Sequence, residues 1–206
     1  MRSLAVATLL LSVASVALAE ESVVYNEPTS VSKAEGLEAW ARIFEVASHP
    51  RCANCHVGPS ERPMWSGPSY GDARPHGMNV HAGASRIGAE SGLMCNTCHV
   101  NSSATERANS TPHAAPHISG VWRLAPVEAD WYGKDSQFIC EQLRDPKRNG
   151  GRDYRKLAFH LGHDKILHWA WTPGGNREAA PRTLQDHIDD MFRWGVAGMP
   201  CPGDTP

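Results

Sequence analysis

The sequence predicts a mainly α-helical fold with long irregular loops. Apolar residues recur at helical spacing in only a few segments of the 206-residue chain. The stretches between those segments are rich in Gly and Pro, which number 18 and 15 and which favour turns over regular structure. The hydrophobic content of 41% is modest, so the polypeptide alone would build a thin core. We therefore expect a bound group to supply part of the core.

The N-terminus has the features of a secretory signal peptide at residues 1–19. Arg2 supplies a basic start, an apolar run of Ala, Leu, Val and Ser follows, and the sequence ALA at 17–19 fits a cleavage site. The run is too short for a convincing membrane span, so membrane contact is expected only if the signal stays uncleaved as an anchor. We predict a periplasmic or otherwise exported protein, in which residues 20–206 form a single domain.

A helix is predicted directly after a polar arm at residues 20–31. Ser32 and Glu35 have the spacing of a capping box, and an apolar stripe at helical spacing follows them. The helix should end near His49-Pro50, because a residue that precedes proline is disfavoured in the helical region. This helix would deliver the chain directly to the first of two cysteine motifs.

Residues 57–94 are predicted to contain little regular structure, since they include four prolines and many glycines. A loop of this length is unusual inside one domain. We expect it to be ordered by wrapping around a bound group. A polar run rich in Ser, Thr and Asn at 101–111 is predicted to be a second, surface loop.

Three further helices are predicted in the second half of the chain. The first is capped by Asp135 or Ser136 and stops at Asp145, before a proline. The second begins at Asp153 and carries apolar residues at positions i, i+3, i+4 and i+7. The last spans about 182–194 and has one apolar face. Between the last two, Trp169 and Trp171 are predicted to lie in an aromatic strand or turn.

Two motifs share the pattern Cys-x-x-Cys-His, at residues 52–56 and 95–99. This is the pattern that covalent haem attachment requires, because each thiol adds to one vinyl group and the adjacent His reaches the iron. We expect a compact c-type multihaem cytochrome organised around two covalently bound haems. The predicted attachment residues and proximal iron ligands are Cys52, Cys55 and His56 for one haem, and Cys95, Cys98 and His99 for the other.

Other chemistry also uses paired cysteines, and two alternatives follow from it. Four thiolates from two C-x-x-C elements can hold a structural zinc ion, and one such element can be a redox-active dithiol. Neither requires a His directly after the second Cys, whereas haem attachment does. The His in both motifs therefore favours two c-type haems, with a zinc-stabilised exported binding module as the weaker reading.

Cys140 and Cys201 remain after the two motifs have used four of the six cysteines. In an exported protein, spare thiols tend to be oxidised. We predict a disulfide that fastens the C-terminal end to the body of the protein. Two free buried thiols are the alternative.

The ligand on the second face of each iron decides whether the iron is closed or open to small molecules. In the long loop His76 is the preferred candidate and Met78 the weaker one. His160 lies beside the apolar stripe of its helix, whereas His163 projects away from it. His187 is interpreted as a core histidine that bonds a neighbouring carbonyl. The less favoured candidates are His49, His113, His117 and His168.

Several segments together carry a family resemblance. They are HPR before CANCH, then PHGMNV, MCNTCH, RLAP, DPKRNGGR, HxxHD at 160–164, WAWxPG at 169–174 and a C-terminal CP. In this order they resemble a family of small exported two-haem cytochromes described as isoquinoline 1-oxidoreductase subunits. The resemblance implies a redox partner protein, a molybdenum hydroxylase, whose electrons the cytochrome accepts.

The leading functional hypothesis is one-electron transfer without bond-making at either iron. The alternative is a haem enzyme, such as a peroxidase or a sulfur-compound oxidase, in which one iron lacks a protein ligand on its second face. A nucleic acid is not an expected partner, because the net charge of −2 provides no basic excess.

Overall fold

The computed structural model describes residues 22–83, 95–100, 106, 109, 115–118 and 122–204. The predicted signal peptide at 1–19, most of the loop at 101–111 and the less favoured ligand His113 lie outside these ranges. Within them the chain is mainly helical with long loops, as the sequence predicts. No helix in the described ranges is both long enough and apolar enough to cross a membrane.

The described α-helices and strands are few and short, and their bounds follow the chain. The helices are α1 (Lys33–Ala47), α2 (Pro50–Ala53), α3 (Ser136–Arg144), α4 (Tyr154–His163), α5 (Lys165–Trp171) and α6 (Leu184–Val196). Strands β1 (Met64–Trp65) and β2 (Arg74–Pro75) pair antiparallel, and Cys95–Thr97 form a single 3₁₀ turn.

Capping side chains stand at the starts of three of the predicted helices. Ser32 and Glu35 form the capping box of α1, while Asp135 and Asp153 accept backbone N–H bonds at the starts of α3 and α4. Each cap satisfies donors that have no partner inside the helix.

The junction between α1 and α2 differs slightly from its prediction. The first helix ends at Ala47, and a new short helix starts at Pro50. His49 is the N-cap of α2, and its side chain accepts a hydrogen bond from the backbone N–H of Arg51 at 3.2 Å. Proline is favoured in the first turn of a helix because it lacks the N–H that would go unpaired there. The first cysteine motif therefore begins on a helical turn of fixed direction.

The hydrophobic core lies among α1, α3, α4 and α6. Trp40 of α1 and Trp194 of α6 are almost fully buried, and their ring centroids are 5.3 Å apart. Ile43, Ile139 and Ile188 complete the centre of this cluster. The core thus sits to one side of the long loops that carry the second cysteine motif.

A disulfide joins Cys140 of α3 to Cys201, which follows α6. Both residues are fully buried in the helical core. The pair is the one that the sequence predicts. The tail is also held by a hydrogen bond from Trp194 Nε1 to the carbonyl oxygen of Pro200, at 3.0 Å.

The prediction for residues 169–171 is wrong: Trp169 and Trp171 lie in helix α5 and not in a strand or turn. Aromatic residues favour strands, but the local capping outweighs this preference. Asp164 ends α4, and its side chain accepts the backbone N–H of Ile166 at 2.9 Å, so that α5 starts directly after it. Two short helices therefore meet at one aspartate.

Candidate functional site

A first cavity of about 1100 Å³, including its part open to solvent, lies against the helical core. Cys52, Cys55 and His56 of the first motif line it, together with His160. Its remaining wall is largely apolar and includes Ile43, Val46, Leu143, Leu157 and Met191. The first motif and one predicted distal ligand thus share a single space.

A second cavity of about 950 Å³, including its open part, lies among the loops. Cys95, Cys98 and His99 of the second motif line it. His76 and Met78, the two distal candidates from the long loop, line it as well. Each motif therefore has its own cavity, and each cavity contains at least one predicted ligand besides the proximal His.

The two proximal histidines have matching surroundings. His56 Nδ1 lies 3.1 Å from the carbonyl oxygen of Ala129, and its ring stacks on Trp131 with centroids 3.6 Å apart. In the second cavity, His99 Nδ1 lies 3.0 Å from the carbonyl oxygen of Pro116. Its ring stacks on Trp122 with centroids 4.4 Å apart. In both sites one carbonyl and one indole ring fix the orientation of the imidazole.

These hydrogen bonds determine which ring nitrogen is free. A carbonyl oxygen only accepts, so Nδ1 of His56 and of His99 must carry the proton. Nε2 then keeps its lone pair, which is the form that binds a metal. The pKa of His56 is lowered to about 4, mainly by burial and also by nearby His160. The hydrogen bond to the Ala129 carbonyl opposes this shift. Burial likewise lowers the pKa of His99 to about 4.

His76 lies opposite His99 in the second cavity. Their ring centroids are 6.1 Å apart, and His76 Nδ1 is 2.7 Å from the carbonyl oxygen of Gly77. A metal bound to Nε2 of both rings at about 2 Å would separate the ring centroids by roughly 6 Å. Met78 is 60% exposed. The position of His76 therefore fits a ligand pair with His99 better than that of Met78 does.

His160 lies on α4, at the boundary between the first cavity and solvent. Its Nδ1 is 3.8 Å from a carboxylate oxygen of Asp164, which is too far for a hydrogen bond. His163, one turn further along the helix, is exposed and pairs with the hydroxyl of Tyr25 at 3.0 Å. The structure thus separates the two histidines as the helical pattern predicts.

The two cavities share a wall made of Arg51, Cys55, Trp122, Leu124 and Trp169. In this wall the guanidinium of Arg51 pairs with Glu178 at 2.6 Å, and the Arg51 side chain is only 1% exposed. The same group donates to the hydroxyl of Tyr70 at 3.1 Å. Sequence reasoning did not single out this wall, because its members are distant in the chain.

Several buried donors beside the cavities have no hydrogen-bond partner in the described part of the chain. They are Arg51 Nε, Trp169 Nε1 and Trp171 Nε1. Buried polar groups are normally paired, and leaving one unpaired costs about 1–3 kcal/mol. All three residues line a cavity. Donors of this kind suit a group with an apolar body and acidic arms, as haem has with its two propionates.

The thiols of the first motif are not set up as reactive thiolates. Burial raises the pKa of Cys52 to about 12 and that of Cys55 to about 11. Redox-active dithiols need the opposite shift, toward the thiolate. In the part of the chain that the structure describes, no group of three or more His, Cys, Asp or Glu residues could hold a metal ion. A haem iron differs in this respect, because the porphyrin supplies four of its ligands.

The chain matches no family model, no curated protein and no solved structure. The interpretation of the two cavities therefore depends on the motifs and on the geometry described above.

His187 is a buried histidine in the wall of the first cavity, and it gives a prediction on pH dependence. Burial lowers its pKa to about 4, and its Nδ1 has no partner among the described residues. The expected bond to a carbonyl is thus missing at this nitrogen. The unfolded chain, with a His pKa near 6.5, binds more protons than the folded chain between these two values. Stability should therefore fall as the pH drops below about 6.5.

We expect His187→Gln to remove this contribution. Between pH 7.5 and pH 5 the wild-type protein should lose on the order of 2 kcal/mol more unfolding free energy than the variant. Urea unfolding at the two pH values measures the difference. His163→Gln, at an exposed position, is the matched control and should keep the wild-type dependence. The same pH dependence in wild type and His187→Gln would contradict the prediction.

Proposed function

We propose that this protein is an exported two-haem c-type cytochrome that carries single electrons. One observation supports this most strongly. Each Cys-x-x-Cys-His motif lines its own largely apolar cavity, and a second histidine lines the same cavity. When bound, each haem supplies an iron that accepts and releases one electron at a time.

The residues of the chain have distinct roles in this proposal. The four motif thiols would hold the porphyrins through covalent bonds, and Nε2 of His56 and of His99 would bind the irons. His76 and His160 would supply the further iron ligands, one in each cavity. With these two histidines bound, neither iron would keep a free position for a small molecule. Closed irons favour electron transfer over catalysis at the metal.

The shared wall supports a relay between the two sites. Cys55 and Trp169 line both cavities, so only one layer of side chains separates the two spaces. The unpaired donors of Arg51 and Trp169 would bind acidic haem arms at this wall. Groups held on either side of it are neighbours, and an electron can pass between them without leaving the protein.

The partner proposal depends on the resemblance and not on the geometry. The family of isoquinoline 1-oxidoreductase subunits implies a molybdenum hydroxylase as electron donor. We therefore propose that the chain accepts electrons from such an enzyme and does not itself act on the organic substrate.

The first experiment counts haems. The full chain, produced in a host that attaches c-type haem outside the cytoplasm, should stain for haem on a denaturing gel. Pyridine haemochrome absorption should give two haems per chain. Covalent haem survives denaturation, whereas zinc does not. An unstained band, together with zinc bound to the native protein, would overturn the proposal in favour of a zinc-stabilised binding module.

The second experiment uses matched variants to test whether small molecules can bind to either iron. The reduced wild-type protein should not bind carbon monoxide. His160→Ala should open one haem and His76→Ala the other, while the neighbouring controls His163→Ala and Met78→Ala should open neither. Rapid binding of carbon monoxide by the wild type, with turnover of peroxide, would instead indicate a haem enzyme with one open iron.

A further inference from the structure

A basic cleft lies on the outer side of the first cavity. It encloses about 1600 Å³, most of it open to solvent, between the end of α4, the start of α5 and the turn at Gly150-Gly151. The side chains of Arg123, Arg152, Arg155, Lys156 and Lys165 line it. Asp164 is its only carboxylate among the described lining residues.

The charge of this cleft contrasts with that of the whole chain, which is −2. Asp164 pairs with Arg123 at 3.5 Å, and Glu27 pairs with Arg155. Among the described residues no carboxylate forms an ion pair with the other three cations, Arg152, Lys156 and Lys165. The cleft is therefore a positive region on a protein with excess negative charge elsewhere. The electrostatic field of a positive region attracts an acidic protein surface and raises the rate at which the two proteins meet.

An exposed aromatic patch adjoins the cations. Phe159 is 56% exposed, and Val24 and Tyr25 are exposed nearby. The ring of Phe159 stacks on His163 with centroids 3.7 Å apart, and Tyr25 lies 6.1 Å from Phe159. Protein interfaces combine exposed aromatic groups with a polar rim in this way. The patch favours a protein partner over a small anion.

The cleft and the first cavity are separated by a single layer of side chains. Arg123, His160, Asp164 and Ile166 line both spaces. A partner seated in the cleft would thus contact the back of His160, the proposed ligand of the first iron. Among the described residues that line the second cavity, Arg51 is the only Arg or Lys.

We propose that the basic cleft is the docking site for an acidic redox protein that exchanges electrons with the first haem. This inference depends on the proposed function. In each encounter, one electron moves from the reduced cofactor of the partner to the oxidised iron of the first site. The partner is oxidised by one electron, the iron is reduced by one, and no bond forms or breaks.

The test uses reduced plant-type [2Fe–2S] ferredoxin, an acidic one-electron donor, as the probe. Stopped-flow absorption follows haem reduction in the oxidised wild type, in Lys156→Glu/Lys165→Glu and in the control Lys147→Glu/Arg193→Glu. The control makes the same change in net charge outside the cleft. At about 10 mM ionic strength the cleft variant should react roughly tenfold or more slowly than wild type, while the control stays within about twofold. The difference should shrink at about 500 mM salt.

Each outcome has a distinct meaning. Equal rates in the cleft variant and the control would overturn the docking site, even though haem reduction shows the protein to be an electron carrier. Absence of covalent haem would instead overturn the proposed function. Sedimentation with vesicles of anionic phospholipid is the third arm. Binding of wild type but not of the cleft variant, with equal ferredoxin rates, would assign the cleft to a membrane surface and overturn the protein partner.

Discussion

Removal of the first thiol pair should unfold much of the protein, whereas removal of the second should not. We expect Cys52→Ser/Cys55→Ser to lose one haem and most of the cooperative helical structure. Cys95→Ser/Cys98→Ser should also lose one haem but keep a folded helical core. The reason is the location of the two cavities. The first is lined by core residues such as Leu143, Leu157 and Met191, and the second mainly by loops.

An empty first cavity leaves core side chains without packing partners, and close packing supplies much of the stability of an interior. Haem staining and far-ultraviolet circular dichroism during thermal unfolding measure the two effects together. The two double variants are matched controls for each other, since each removes two thiols and one attachment motif. Equal loss of helical structure in both would contradict the prediction.

The second large effect concerns the disulfide between Cys140 and Cys201, which are 61 residues apart in the chain. We expect Cys140→Ala/Cys201→Ala to lower the unfolding free energy of the haem-loaded protein by about 4 kcal/mol. This value follows from the entropy that a cross-link of this span removes from the unfolded chain. Urea unfolding with and without a reducing agent provides the measurement.

The controls for this prediction use the same disulfide. Reduction should destabilise the wild type by a similar amount and should leave the double variant unchanged. If the variant and the wild type unfold at the same urea concentration, the bond contributes nothing and the prediction fails. The remaining tail contacts, such as the ion pair of Arg144 with Asp204 at 2.6 Å, are partly exposed and should contribute much less.

The predictable parts of the fold are those with local causes. The helix starts at Ser32, Asp135 and Asp153 follow from one capping side chain and the apolar stripe after it. The error at Trp169 and Trp171 also has a local origin. An aromatic segment favours a strand, and the opposing signal was a single aspartate, Asp164, which closes one helix and opens the next.

In the candidate site, too, features with local causes are predictable and features that depend on the tertiary fold are not. The thiols and the histidines of the two motifs are identified by spacing alone. By contrast, Trp131 stacks on His56 across 75 residues, and Glu178 pairs with Arg51 across 127 residues. Contacts of such separation arise only from the tertiary fold. No periodicity in the chain indicates them, so neither the shared wall nor the carbonyl partners could be predicted.

The shared wall has a consequence for biosynthesis. Cys55 lines both cavities. In the proposed cytochrome, attachment of its thiol to one porphyrin would complete a surface against which the other porphyrin packs. The order of the two attachment reactions would then affect the shape of whichever cavity is filled last.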